Sequence, residues 1–229
     1  MWDKLIMLYI VSTPIGNLSD LTFRVKEILE KVDFILAEDT RQSRKILARF
    51  GIGKRIMSFH EYSSPAKLER LAGELKKGRE LAYLTDAGTP NLSDPGSRLC
   101  EKVLAEGLKV TPLPGPSALT ALISVAPFSC AKFLFLGFFP KGGREKIIAE
   151  IEAQKHPVFF FESPYRIKKT LDFLRSRLSD TRVLVGRELT KKFEEIVYCD
   201  LADSEKLLAI KNKGEFVVGL VRRPRKGIK

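Results

Sequence analysis

The chain has 229 residues, 44% of them hydrophobic, enough to bury the cores of one large or two modest α/β domains. Its longest apolar runs, "LIMLYIV" and "FLFLGFF", are strand-sized and exclude a membrane-spanning helix. Forty Lys and Arg against 28 Asp and Glu give a net charge of +12, which makes a polyanion, nucleic acid first, the leading partner class.

Along the first half, short apolar runs alternate with helical patterns. "LYIVS" (8–12) precedes "DLTFRVKEILEKV", where Leu21, Val25, Ile28, Leu29 and Val32 share one face at helical spacing. "FILA" (34–37) leads into a helix through "RQSRKILARF", and "RIMSF" (55–59) into "PAKLERLAGELKK". "ELAYL" runs into the long loop "TDAGTPNLSDPG" and then the helix "SRLCEKVLAE". "KVTPL" (109–113) is followed by Pro-Gly-Pro and the helix "SALTALISV". Repeated βα units of this kind predict a mainly parallel sheet covered by helices.

After about residue 125 the rhythm changes. "FLFLGFF", "PVFFFE", "TRVLVGREL", "EIVYC" and "EFVVGLV" are strand candidates with fewer intervening helices, two of which read as "REKIIAEIEA" and "YRIKKTLDFLRSRL". Short connections near 183–221 predict antiparallel pairing. The expected organisation is two α/β domains: residues 1–116 with a mainly parallel sheet and residues 117–229 with a mixed sheet. The basic tail "RRPRKGIK" is expected to fray. The charge is split unevenly. Residues 1–115 hold 18 basic and 15 acidic side chains, a net of +3, and residues 116–229 hold the other 22 and 13, a net of +9.

Cys100, Cys130 and Cys199 are widely spaced and form no CxxC pair, so neither a disulfide framework nor a structural zinc site is expected. This usage fits a reducing cytoplasm. The N-terminus lacks the basic region and small-residue cleavage site of a signal peptide. There is no GxxxxGK[ST], GxGxxG or G-x-S-x-G motif, and two histidines, His60 and His156, do not make a zinc cluster. Asp39, Asp86 and Asp94 can hold a cation in principle, but nothing resembles a phosphate cradle beside them, and no metal is expected.

What remains is a set of shaped loops at the carboxyl ends of the predicted parallel strands, where open α/β sheets bind ligands. They are "TPIGN" (13–17), "EDTRQS" (38–43), "FHEYSS" (59–64), "DAGTPNLSDPG" (86–96) and "PGPSA" (114–118). Glycine lets backbone approach a ligand and proline holds a loop's shape. Such an edge suits adenine, an amino acid or hydroxyls bound largely by main chain, with the helix N-terminus after "PGP" favouring a carboxylate.

The ordered run "TPIGN…EDTR…DAGTP…SDPG…PGPSA…ESP…RELTK", with "HEYS", "FLFLGFFP" and "GEFVV", resembles the ribosomal RNA small subunit methyltransferase I family, a branch of the tetrapyrrole (corrin/porphyrin) methylase superfamily. The resemblance covers roughly residues 8–221. It implies a two-domain α/β fold, usually dimeric, with S-adenosylmethionine bound between the domains. It also implies 2′-O-methylation of a cytidine ribose in the decoding region of small-subunit ribosomal RNA, in the assembled subunit. By motif match the cofactor-binding residues are Asp86, Gly88, Thr89, Pro90, Gly115, Ser117 and Ala118, with Pro14, Gly16 and Asn17 in the first loop. Two positions depart from the family's usual pattern. Asn91 stands where glycine is usual; if that position has φ > 0, asparagine is the next most tolerant residue. Tyr165 stands where histidine is common.

Glu38, Asp39, Arg41, His60 and Glu61 lie on loops at the ligand-bearing edge. Asp39 or His60 can accept a proton from the ribose hydroxyl and Arg41 can hold a phosphate or the ribose; these three are the catalytic candidates. The plainer readings are an N-cap with a local salt bridge for 38–41, and a surface histidine. Arg41, Arg44, Lys45 and Arg49 recur on one helix face, and Arg166, Lys168, Lys169, Arg187, Lys191 and Lys192 form a second basic set. Both are candidate RNA-binding surfaces or solvated faces. Two other functions stay open: methylation of a tetrapyrrole or other small molecule, and non-catalytic RNA binding.

Overall fold

The structure, a computed structural model, describes residues 7–223. Nearly all of the basic tail lies outside the described residues. The chain divides into two compact units that meet in sequence at Ser117 and Ala118.

The first unit is a doubly wound sheet. Strands β1 (Met7–Val11), β2 (Phe34–Ala37), β3 (Ile56–Ser58), β4 (Leu81–Leu84) and β5 (Lys109–Leu113) run parallel in the order β3-β2-β4-β1-β5. β2 and β4 are buried along their whole length, as expected of strands covered on both faces. Helix α1 (Phe23–Lys31) starts at the Thr22 cap, whose side chain accepts from the Val25 N–H, and α3 (Pro65–Lys76) starts at the Ser64 cap with proline in its first turn. α1 and α2 (Thr40–Arg49) bury Val25, Leu29 and Leu47 against Val11, Ile35 and Leu84 on one face. α3 and α4 (Ser97–Ala105) bury Leu68, Leu71, Leu75, Leu99 and Val103 against Leu8, Leu36 and Tyr83 on the other. Each fully buried leucine contributes about 1.5–3 kcal/mol.

The second unit carries a mixed sheet. β6 (Leu134–Phe138) and β7 (Val158–Glu162) are parallel; β10 (Phe216–Arg222) pairs antiparallel with β7 and with β8 (Thr181–Arg187), and β8 pairs antiparallel with β9 (Glu195–Asp200). Side chains of α6 (Arg144–Ala153), α7 (Ile167–Arg177) and α8 (Ser204–Ala209) join one core cluster with Val158, Phe160, Val183, Val185, Val218 and Leu220. α5 (Ala118–Ser124) packs on β10, and Leu122 reaches β8 so closely that a Cβ at Gly186 would lie 2.7 Å from its Cδ1. α8 is absent from the sequence reading because six residues behind the Asp203 cap are too short for a helical period to register.

Candidate functional site at the carboxyl edge of the parallel sheet

The winding of the first unit fixes where a ligand can sit. The helices that follow β1 and β2 lie on one face of the sheet, and the helix that follows β4 lies on the other. β4 stands between β1 and β2, so the chain diverges on both sides of it and leaves a crevice on each side. The loop after β4, residues 85–96, serves both crevices. This accounts for its length.

On the β1 side three loops are fastened to one another. Thr13 and Gly88 exchange backbone hydrogen bonds of 2.9 and 3.0 Å, and the Thr13 hydroxyl donates to the Thr85 carbonyl at 3.2 Å. The Thr89 hydroxyl donates to the Pro116 carbonyl at 3.2 Å and accepts from Ser12 Oγ at 3.4 Å. Gly115 lies so near that a Cβ there would come within 3.0 Å of Ser12 Cβ. Thus "TPIGN", "DAGTP" and "PGPSA" form one surface, with Pro14, Gly88, Pro90 and Ser117 buried in it and Gly16, Asp86 and Gly115 exposed. Thr89 and Ala118, where α5 opens, are half-buried. Asn17 is exposed but spends its side-chain oxygen on the Ser19 N–H, capping a short 3-10 turn. Gly88 has φ +82°, a conformation that favours glycine.

On the β2 side lies a cavity of about 420 Å³, lined by Glu38 at the end of β2, Phe59, His60 and Glu61 after β3, and Asn91 to Arg98 after β4. Two non-glycine residues in this loop hold left-handed conformations, Asn91 at φ 69° and Ser93 at φ 69°. Asparagine at position 91 thus does stand where the backbone has φ > 0. The loop is pinned from within: Thr85 Oγ1 donates to Asp94 Oδ2 at 2.7 Å and the Tyr83 hydroxyl to the Pro95 carbonyl at 2.9 Å. Arg98 Nη1 donates to the Glu61 carbonyl at 2.6 Å, tying the β3 loop to α4. The backbone N–H of Asp39 donates to Asp86 Oδ1 at 3.0 Å, joining the two crevices.

The electrostatics follow from five carboxylates on one edge of a unit whose net charge is positive. Burial raises the Glu38 carboxyl above its ordinary 4.5, and Asp86, Asp94, Glu61 and Asp39 raise it further. Asp94 is raised by burial and by Asp86 against the lowering bond from Thr85. The buried Tyr83 phenol is pushed well above its usual range by desolvation and then by Glu38, Asp94 and Asp86. A cationic ligand relieves this repulsion, so the donor set fits a group carrying a sulfonium and an ammonium. Among the described residues no group of three or more His, Cys, Asp or Glu side chains is arranged to hold a metal ion.

The structure sorts the three catalytic candidates. Asp39 caps α2, its Oδ1 accepting from the Arg41 N–H at 2.7 Å. Arg41 is exposed on the first turn of the same helix. His60 is exposed at the cavity rim, its ring 6.5 Å from that of Tyr62 and its backbone N–H on Ser63 Oγ. Glu38 and Asp94, placed at this edge by the sequence without a role in the methyl transfer, line the cavity, and so does Arg98, which the sequence did not single out. The available signal for Glu38 was its place as the first charged residue after the all-apolar strand β2.

The two basic sets differ. Arg41, Arg44, Lys45 and Arg49 are all exposed on α2. In the second set Arg187 is 6% exposed, with its guanidinium on Glu195 and the Lys213 carbonyl. Arg166 pairs with Glu162 and donates to the Phe139 carbonyl, and Lys191 pairs with Glu188 and Glu215. Lys168, Lys169 and Lys192 remain exposed, with Lys192 beside the Phe193 ring.

Comparison with known proteins gives this geometry a family. Among solved structures the fold is shared with a diphthine synthase (TM-score 0.71, 15% identity, 94% of this chain and 89% of that one). It is shared also with a cobalt precorrin-4 methyltransferase (TM-score 0.67, 17% identity, 93% and 94%). Proteins named "Ribosomal RNA small subunit methyltransferase I" align closely. The one from Borrelia garinii subsp. bavariensis is 42% identical over 93% of this chain and 97% of its own. The one from Thermotoga maritima is 41% identical over 82% and 85%, and the one from Escherichia coli O157:H7 is 41% identical over 82% and 67%. A family model for Tetrapyrrole (Corrin/Porphyrin) Methylases matches residues 7–205. The chain belongs to that methylase family, in the branch of the ribosomal RNA small subunit methyltransferases I.

Proposed function

We propose that the chain uses S-adenosylmethionine to methylate the 2′-oxygen of a cytidine ribose in the decoding region of small-subunit ribosomal RNA, acting on the assembled subunit as a homodimer. The observation that carries the reading is the doubled crevice at β4: one fastened, backbone-rich surface and one cavity, sharing a single loop. The relatives' names supply the acceptor class. Asp86, Gly88, Thr89, Pro90, Gly115, Ser117 and Ala118, with Pro14, Gly16 and Asn17, would hold the cofactor, and the carboxylates of the edge would favour its positive charge. When bound, the cofactor supplies an electrophilic methyl and leaves the protein only positioning and proton removal to perform.

The cavity on the β2 side takes the acceptor ribose. Glu38 accepts the proton of the 2′-hydroxyl, because its carboxyl is nearer neutrality than an ordinary glutamate and faces the cavity. His60 at the rim and Phe59 in the wall bound the space for a splayed-out nucleotide. Arg98 keeps the Glu61 side of the wall in place through its backbone bond. The test is transfer of labelled methyl to small ribosomal subunits lacking the modification, followed by mapping of the labelled atom. Label on a cytidine 2′-oxygen, lost in Asp86→Ala, is the expected outcome. No label from protein that binds the cofactor sends the acceptor to a small molecule.

A further inference from the structure

From Thr40 through His60 the sequence holds six cations, Arg41, Arg44, Lys45, Arg49, Lys54 and Arg55, and no carboxylate. Elsewhere in the first unit Lys26, Lys76, Lys77, Arg79 and Lys102 have acidic partners; among the described residues none of the six does. α2 buries Ser43, Ile46 and Leu47, which turns its cations outward. After α2 the chain turns and returns as β3, the edge strand of the sheet. There it leaves an open groove of about 500 Å³. Leu47, Ile52 and Ile56 line the groove as apolar wall, with Arg44, Lys54 and Arg55 beside them. The Arg55 guanidinium lies 5.8 Å from the centroid of the Phe34 ring, which it shares with Arg79 at 5.0 Å. A ring face rather than a carboxylate holds Arg55, so its donors stay available for an outside acceptor.

We propose that this groove docks the phosphodiester backbone of the RNA substrate, with Arg44, Lys54 and Arg55 on phosphates and the apolar wall against ribose. The proposal rests on the reading that the substrate is RNA. It adds a site beyond the α2 face, at the far end of a ten-residue helix that begins two residues after Glu38. Such a helix spans about 15 Å, so one strand lying along α2 joins the groove to the acceptor cavity. It also assigns docking to the first unit, although the second half of the sequence carries the larger net charge.

The test measures binding of a 20-nucleotide single-stranded RNA to the full chain without cofactor, by fluorescence anisotropy over a salt series. Arg44→Ala/Lys54→Ala/Arg55→Ala is compared with Lys31→Ala/Arg70→Ala/Lys109→Ala, which removes the same charge from exposed sites elsewhere in the first unit. The groove variant is expected to bind at least about ten-fold more weakly than the control variant, and its slope of log affinity against log salt to be smaller by about 2, as three lost single-strand phosphate contacts require. Equal weakening in the two variants overturns the groove. Methyl transfer to small subunits is measured alongside. Transfer by wild type with equal weakening sinks the groove alone; selective loss of RNA binding without any transfer keeps the groove and sinks the ribosomal reading. Unchanged thermal midpoints in both variants establish that the fold is intact.

Discussion

Glu38 sits where folding and chemistry conflict. Its carboxyl is raised by burial and by the four carboxylates Asp86, Asp94, Glu61 and Asp39 that face it, with the Tyr83 phenol beside them. A carboxylate raised in the native state destabilises the fold once the pH exceeds the unfolded value, and the penalty vanishes below that value. Glu38→Gln is therefore expected to raise the thermal midpoint at pH 7 and leave it unchanged near pH 3. The same substitution is expected to slow methyl transfer by about 10²-fold, the lower range for a general base. In the wild type at saturating cofactor, transfer rises with pH through the elevated Glu38 value as the basic form accumulates; in the variant, likewise saturated, that acid limb flattens. A variant that keeps the limb places the base elsewhere. Asn91 offers a separate check on the loop. At φ 69° its backbone favours glycine or asparagine, so Asn91→Ala is expected to cost about 1 kcal/mol of stability and Asn91→Gly only a few tenths, read from denaturant midpoints.

The element that joins β7 to α7 shows a different use of charge. Glu162, 2% exposed at the end of β7, receives Arg166 Nη2, the Thr170 hydroxyl at 2.6 Å and the Ser163 N–H at 2.7 Å. Arg166→Ala leaves that carboxylate buried with two neutral donors, and is expected to cost about 3–5 kcal/mol by thermal or denaturant unfolding. Its loss of RNA affinity, compared at equal folded fraction, is expected to be small because the guanidinium is already engaged. This pairing marks the limit of what the sequence discloses. The strands and long helices were legible from apolar runs and the 3.6-residue period, and the converging loops from their place after each strand. Arg187 read as a surface cation because its partner, Glu195, is eight positions away and meets it only through the β8–β9 register. Glu38 was visible as a residue of the right edge, but its environment depends on Asp86 and Asp94, which the strand order brings beside it. Local pattern carries period and punctuation; it does not carry which distant charges become neighbours.

Charge across the first unit is arranged in two opposed fields. Carboxylates Glu38, Asp39, Glu61, Asp86 and Asp94 gather at the carboxyl edge, while the six cations from Arg41 to Arg55 cover α2 and the groove beside β3. The two proposed ligands have opposite charge, so they should answer differently to salt. Six phosphates of a single strand neutralised by those cations release counterions on binding, and RNA affinity is expected to fall by about 300-fold between 50 and 200 mM salt. The cofactor, with one net positive charge, meets the carboxylates at short range, inside a Debye length of about 8–10 Å, where screening acts weakly. Its affinity is expected to change by less than about three-fold over the same interval. Acid has the reverse pattern. Protonating Glu38 and Asp94, both raised by burial, removes negative charge from the edge and weakens the cofactor as the pH falls through those elevated values. RNA binding, carried by Arg and Lys, holds or strengthens over that range. Calorimetry with cofactor and anisotropy with RNA, each run over salt and pH, read the two fields independently. Parallel responses of both ligands would mean that one undivided field serves them, and would remove the separation of cofactor edge from RNA surface.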